Sequence, residues 1–419
     1  MIRRIEALNF RCLRYIRQDL NDFQILVGPN ASGKTTFLDL VAFLGDLVTS
    51  GLEKATNERT LNFQDLVWGR SGDHFEIAIE LEIPQRYREK KFEPSYSIIR
   101  YEVSIGIDKE TKELSILAEK ALLKEELETE ARERTLFPME PTPPLTILSS
   151  ARGRGTRLLI NKVRGGNDNF YSETYEKPGK GWAPSFKLGP RKSALGNLPA
   201  DESKFPVTTW LKSVLTEGVQ KLVLNSLLIR KASPPGQVRQ FKSDGSNLPW
   251  VIDNLYSISK DRYNDWIKHL QTALPDIENI HTVERPEDRH RYLVVKYKGG
   301  LEVPSWMTSD GTLRLLALTL PAYLTEFSGI YLIEEPENGI HPKAVETVFQ
   351  SLSSVYEAQI LIATHSTILL SIAQPQQVLC FTKTEKGAAD IVRGDKHPAL
   401  SDWKGETNLS LLFAGGVLG

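Results

Sequence analysis

The chain has 419 residues, a formal net charge of −1, 40% hydrophobic and 25% charged residues. This is an ordinary globular composition that excludes a protein-wide basic field, so any nucleic-acid contact must come from a local patch. Cys12 and Cys380 are the only cysteines, too few for a zinc site or a disulfide framework, and no run of about 18 apolar residues offers a membrane-spanning helix, so a cytoplasmic location without membrane contact is expected.

Residues 2–10 place Ile2, Ile5, Leu8 and Phe10 as a strand leading towards Phe23-Gln-Ile-Leu-Val27, a second, buried strand. There follows Gly28-Pro-Asn-Ala-Ser-Gly-Lys-Thr35, which fits the phosphate-loop pattern G-x-x-x-x-G-K-[ST], and then an apolar helix over Thr36–Leu44. A strand, a glycine loop and a helix N-terminus make an anion cradle, because backbone N–H groups converge where the helix dipole favours negative charge. Asn30, Ala31, Ser32, Gly33, Lys34, Thr35 and Thr36 are therefore the expected contacts of a nucleoside triphosphate. Lys34 would reach the β- and γ-phosphates and the Thr35 hydroxyl would ligate Mg²⁺.

Leu61–Gly69 reads as a loop or short helix. Phe75–Ile83 alternates as a strand with a glutamate-lined wet face, and Tyr96–Ile107 and Leu114–Leu123 add two more, an antiparallel sheet flanking the nucleotide core. Lys124–Arg134 is charge-rich and reads as a solvated helix or hairpin tip, and the four prolines of Pro138–Pro144 mark a rigid break. Residues 151–192 carry ten Lys/Arg against three Asp/Glu, interleaved with Phe170, Tyr171, Tyr175, Trp182 and Phe186. That mixture could track a DNA or RNA backbone and stack bases, or be a surface insertion whose charges are solvated. Thr208–Leu228 is apolar at helical spacing, Asn247–Leu255 and Arg262–Leu274 read as two further helices, and Tyr292–Tyr297 with Leu301–Val303 forms a strand–turn–strand.

Three later stretches complete a site. Gly329-Ile-Tyr-Leu-Ile-Glu-Glu335 is a buried strand ending in two acids; carboxylates at the C-terminal end of a parallel strand face the nucleotide crevice. Glu334 would hold Mg²⁺ and Glu335 would polarise the water that attacks the γ-phosphate. Gln359–Ser366 is another apolar strand, ending in His365, and a helix over Lys343–Tyr356 connects the two as a crossover within one parallel sheet. His365 could bond the γ-phosphate or the attacking water. Ser309-Asp-Gly-Thr312 precedes a helix and makes a second anion-receptive helix N-terminus. One triphosphate needs one such cradle, so Ser309 and Gly311 are expected to cap the γ-phosphate held by a second copy of the chain.

At these residues the sequence resembles the ATP-binding-cassette ATPases, in the SMC-like branch that includes the OLD-family (overcoming lysogenization defect) nucleases and related bacterial defence ATPases. Gly28–Thr35 resembles the family's phosphate loop, Ser309–Thr312 its degenerate signature, Glu334-Glu335-Pro336-Glu337 its acidic strand end, Asn338–Pro342 its D-loop and Thr364-His365-Ser366 its switch histidine. The resemblance implies an ATPase using ATP and Mg²⁺, with Arg11 near the nucleotide and Gln64 as the Q-loop ligand to the metal. It implies an α/β phosphate-loop fold of cassette type, with a mixed central sheet, a flanking antiparallel sheet, a helical subdomain and an insertion. The expected division is 1–110 for the first part of the head, 111–205 for the insertion, 206–290 for the helical subdomain and 291–419 for the rest of the head.

The chain also departs from the pattern. The signature lies some 280 residues after the loop, no heptad run supports an extended coiled coil, and Asp390, Asp395, Asp402 and Glu406 are scattered without strand context, so no nuclease domain is expected. The apolar tail 408–419 should be buried against its own core or another protein. The favoured expectation is an ATPase whose head dimerisation controls a separately encoded effector, such as a Toprim-like nuclease, in defence against foreign nucleic acid. The alternatives are a DNA-repair or chromosome-maintenance ATPase acting directly on DNA, and a slow ATP-gated scaffold.

Overall fold

The helix Lys34–Ser50 lies between two sheets, and its residues divide between them. Phe43 packs edge-on against Phe10 and Phe75 of one sheet, with ring centroids 5.9 and 5.6 Å away, and Phe37 packs on Phe381 of the other at 5.6 Å. This computed structural model describes residues 1–88, 96–125, 134–150, 155–174, 184–325, 327–401 and 409–416. The Lys124–Arg134 stretch and the tail beyond 416 therefore lie almost wholly outside the described residues.

The first sheet is antiparallel. It comprises β1 (Ile2–Phe10), β2 (Leu13–Asp19), β4 (His74–Glu82), β5 (Ile98–Ile107), β6 (Leu114–Lys124), β7 (Thr156–Val163), β8 (Asp168–Phe170) and β9 (Ser185–Phe186), in the order β2-β1-β4-β5-β6-β7-β8-β9. The second has the order β10-β14-β15-β3-β16-β17, from β10 (Val219–Leu222), β14 (Ile330–Glu334), β15 (Gln359–Ala363), β3 (Phe23–Val27), β16 (Val378–Lys383) and β17 (Ala389–Arg393). Its first five strands run parallel and β17 is antiparallel. A small third sheet joins β11 (Ile277–Glu284), β12 (Arg291–Tyr297) and β13 (Glu302–Pro304).

β3 is apolar except for the buried Gln24, because both of its faces are covered, as parallel strands require. Leu26 belongs to the core beneath Lys34–Ser50, whereas Ile25 and Val27 belong to the core on the opposite face. There the helices Leu248–Ile258, Lys260–Ala273, Asp310–Thr319, Pro342–Ser353 and Thr367–Ile372 pack with the small sheet. Two buried polar bonds pin three of those helices together, Trp266 Nε1 donating to Thr319 Oγ1 (2.9 Å) and Ser351 Oγ to the Thr319 carbonyl (2.7 Å). The tail helix Leu409–Ala414 lays Leu409 and Leu412 into this same core and leaves Leu411 exposed. One side chain bridges the two large sheets: the buried Gln359 amide accepts from Ile2 N–H (3.0 Å) and donates to the carbonyls of Ile2 and Asn21.

Several expectations need correction. The segment over Thr208–Leu228 is not one helix. Pro206–Thr216 is helical, its first turn capped by the buried Glu173 carboxylate, which accepts from Val207 and Thr208 N–H. The chain then breaks at Gly218, whose carbonyl accepts from Ile330 N–H, and Val219–Leu222 becomes the edge strand β10 beside β14. Apolar spacing could not separate a helix from a helix-plus-strand of the same pattern. Ile277–Glu284, Val378–Lys383 and Ala389–Arg393 are further strands, beyond those the sequence reading contains. Asp390 thus has a strand context, but its carboxylate is held by Arg134 (2.5 Å) and by Met139 N–H (2.8 Å).

The glutamate-lined face that β4 shares with β5 is not wet except at its end, where the Glu82 side chain stays 40% exposed. Glu76, Glu80 and Glu102 are at most 3% exposed, because residues 134–150 cross this face as an extended strap. Arg100 sits at the centre, donating to Glu6, Glu80 and Glu102 at 2.7–3.0 Å and to the Ile147 carbonyl. The strap is gripped at alternate residues: Ile147 N–H bonds Glu76, and Ser149 N–H and hydroxyl bond Glu102. Burying this many charges is tolerable only because every acid has a cation or N–H donor. Of the cations described within 151–192, Lys162 pairs with Asp168 (2.7 Å) and Arg164 with Asp108 (2.5 Å), whereas Lys187 and Lys192 are exposed. Replacing Arg100 by Leu strands three buried carboxylates and should lower the unfolding free energy by about 3–5 kcal/mol, measured by urea denaturation; a loss under about 1 kcal/mol would show that the acids find other partners.

Candidate functional site

The C-terminal ends of β14, β15 and β3 are level, with Glu334 opposite Ala363 and Ala363 opposite Leu26. The loops that leave these three strands therefore meet at one rim. A cavity of about 410 Å³ opens there, lined by Cys12, residues 30–36, Glu334, Glu335, Ala363, His365 and Lys383. Asn30, Ala31, Ser32, Gly33, Lys34, Thr35, Thr36, Glu334, Glu335 and His365, distant in sequence, are thus brought together.

The loop's backbone is specialised. Ala31 and Gly33 take positive φ (61° and 107°), turning the chain back over the helix N-terminus. Gly33 is the N-cap and leaves the first-turn N–H groups of Lys34–Ser50 without side-chain partners. Gly28 is required for a different reason: a Cβ there would lie 2.1 Å from the Phe381 carbonyl oxygen of β16. The Lys34 ammonium bonds the carbonyls of Gly28 (2.8 Å) and Pro29 (2.9 Å), and burial lowers its pKa to about 8 although Glu335 pulls the other way. The Ser32 hydroxyl is buried with no hydrogen-bond partner among the described residues. A phosphate chain fits this arrangement, since it would satisfy the orphan Ser32 hydroxyl, the helix N–H groups and the lysine together.

On the far wall Thr35 Oγ1 donates to Glu334 Oε2 at 2.7 Å, while Glu334 Oε1 pairs with Lys221 Nζ at 2.8 Å. Burial acts to raise the Glu334 carboxyl, but the bonds from Lys221 and Thr35 outweigh it and hold the group below its usual value. Two oxygens on adjacent vertices of a Mg²⁺ octahedron stand about 3 Å apart, so Thr35 and Glu334 fit a shared Mg²⁺ with little movement. Glu335 follows the strand in a left-handed conformation (φ 47°), fixed by its N–H to the Ala363 carbonyl (2.7 Å). A non-glycine residue held so is strained, a feature that concentrates at functional sites. The Asn338 amide donates to the Glu335 carboxylate, and Glu337 accepts from Thr364 Oγ1 (2.6 Å) and His365 N–H (3.1 Å). The two rim segments are thereby locked to each other.

Four anticipated residues do not line the cavity. Arg11 has φ 49° and pairs with Asp39 of the loop helix at 3.2 Å. Gln64 sits in the 3₁₀ turn Phe63–Leu66, its Oε1 buried without a hydrogen-bond partner among the described residues. Ser309 caps the helix Asp310–Thr319, its hydroxyl accepting from Thr312 N–H, and is exposed. Gly311 packs against the 336–342 turn, where a Cβ would stand 2.7 Å from the Gly339 carbonyl. Conversely, Lys221, Cys12 and Lys383 were missed. Lys221 was hidden by reading its segment as helix; the signal available was the Glu217-Gly218 break. Lys383 and Cys12 come from elements with no motif of their own.

The fold and the loop define a phosphate-loop α/β domain of the kind found in SMC head ATPases. Among solved structures the chain is similar to an Smc head bound to the C-winged helix domain of ScpA, at TM-score 0.52 and 13% identity, covering 93% of this chain and 96% of that one. A Pyrococcus furiosus Smc head with an extended coiled coil, bound to the C-terminal domain of ScpA, scores 0.48 at 13% identity over 93% and 95%. A Thermotoga maritima SMC head domain scores 0.40 at 11% identity over 94% and 98%. The fold likeness rests on the first of these. No curated protein matches the chain. Residues 23–371 match the family described as "AAA domain, putative AbiEii toxin, Type IV TA system", and the chain belongs to that family.

The close approach at Gly28 gives a test of the loop's geometry. Gly28→Ala should push β16 from β3 and cost roughly 2–4 kcal/mol of stability, measured by denaturant unfolding; an unchanged midpoint would mean the loop relaxes freely.

Proposed function

We propose that the chain is an ATPase whose ATP-bound heads pair with a second copy, and that this pairing controls a separate effector. The carrying observation is the meeting of Lys34, Thr35, Glu334, Glu335 and His365 in one cavity. Lys34 and the N–H groups of residues 30–36 bind and orient the phosphates. Thr35 and Glu334 hold Mg²⁺, which neutralises phosphate charge when bound. Glu335 accepts the proton of the attacking water, and Asn338 keeps its carboxylate aimed. His365 bonds the γ-phosphate side, its backbone held by Glu337.

The pairing is supported by a second helix N-terminus that the cavity of a single chain does not use. Ser309 and Gly311 form a capped helix N-terminus outside it, beside the exposed Trp306 and Met307. A second copy turned head to head would bring that terminus to the γ-phosphate, as an isologous pair. Arg11 and Gln64 do not line the cavity and carry no role in this reading. The family's description, with its AbiEii toxin and toxin–antitoxin system, supports a role in defence, and the resemblance to OLD-family proteins supports a Toprim-like nuclease as the effector. A DNA-maintenance role is the second reading. It is disfavoured because Lys162, Arg164 and Arg191 already pair within the chain, which leaves Lys187 and Lys192 as exposed cations among the described residues of that region.

Glu335→Gln should bind ATP yet lower steady-state turnover about 10²–10⁴-fold and accumulate the ATP-bound dimer; wild-type turnover in this variant would remove Glu335 as the base. Lys34→Ala should lose both ATP binding and the ATP-dependent increase in sedimentation coefficient, and a preserved shift would remove the composite site. Duplex DNA binding that falls steeply with salt and is lost when Arg152, Arg154 and Arg157 are neutralised would favour the second reading.

A further inference from the structure

The cavity has two sides relative to β3, and the groups assigned to the γ-phosphate occupy only one of them. Glu334, Glu335 and His365 all lie at or just past the ends of strands on the β15 side of β3. On the opposite side β16 runs parallel to β3, with Cys380 level with Val27, and ends at Lys383, which lines the same cavity. Lys383 is exposed, and among the described residues no carboxylate pairs with it.

A nucleotide whose γ-phosphate lies by Glu335 and His365 must extend its α-phosphate and nucleoside across the loop towards the β16 side. We propose that Lys383 is a nucleotide-binding residue, its ammonium contacting the α-phosphate end that ATP and ADP share. This rests on the ATP-site reading above and adds to it a contact the phosphate-loop motif does not contain. An unpaired lysine at a cavity rim suits a phosphate as a compact point charge.

The position of Lys383 is fixed, which is what a binding contact needs. The Phe381 carbonyl lies against Gly28, so β16 cannot move without moving the loop. Ala389 N–H bonds the Cys12 carbonyl (2.9 Å), closing the hairpin onto the cavity wall. The strap that covers the buried charges also reaches this hairpin: Glu140 accepts from Lys386 N–H (3.0 Å) and Arg134 pairs with Asp390.

The test is equilibrium binding of ATP and of ADP to the full chain and to Lys383→Gln, Lys383→Arg and Lys34→Ala. Lys383→Gln should weaken both nucleotides by a similar factor, about tenfold, and Lys383→Arg should recover most of that loss. Equal affinities in Lys383→Gln and wild type would overturn the proposal, as would a loss confined to ATP, which would put the contact at the γ-phosphate, or a Lys383→Arg as weak as Lys383→Gln. Lys34→Ala separates this contact from the site itself, because nucleotide binding retained in that variant would overturn the ATP-site reading. A thermal melt of each variant checks the fold, and protection of the Cys12 thiol from alkylation by ADP gives a second readout of occupancy at the same wall.

Discussion

The structure depends on burying Lys34–Ser50 between two sheets of different construction. A helix apolar around most of its circumference can be satisfied only with partners on both sides. The antiparallel sheet supplies Phe10 and Phe75, and the parallel sheet supplies Leu26, Leu361 and Phe381. Once the helix is held there its N-terminus can point only to the strand ends, so the phosphate loop inherits its position from core packing. The Gln359 amide, bonded to the backbone of Ile2 and Asn21, fixes how far the two sheets can slide.

The rim is built by mutual constraint. Glu335 keeps a strained backbone because Ala363, a residue of the next strand, accepts its N–H. Glu337 in turn holds the backbone of His365. Each group proposed to act on the γ-phosphate side is therefore positioned by the neighbouring strand's segment, and a shift at one strand end is felt at the other. The Lys221–Glu334 pair extends the chain of contacts to the edge strand β10, which leads directly into the helical layer.

The strap 134–150 adds a second layer of organisation. It converts a charged sheet face into an internal one, since Arg100 and its three glutamates leave solvent beneath it. Its first residues then brace the β16–β17 hairpin through Asp390 and Lys386. One extended segment thus spans the outer face of the antiparallel sheet and the wall of the cavity.

The sequence by itself determined the local pieces whose chemistry is periodic or motif-bound. The strands Ile2–Phe10 and Phe23–Val27, the loop helix, the acidic strand end and the Ser309 cap are all legible because neighbouring residues decide them. Long-range partners decided the rest. Alternating glutamates on β4 look solvated in any local reading, and only the arrival of Arg100 and the strap 134–150 buries them. Val219–Leu222 has an apolar pattern compatible with helix, and it is a strand because β14 offers it hydrogen bonds. Lys221 and Lys383 carry no motif, and they reach the rim only because β10 and β16 are strands of the same parallel sheet as β3. A side chain's neighbours across a sheet are set by strand order, and strand order is a property of the folded chain that spacing along the sequence does not contain.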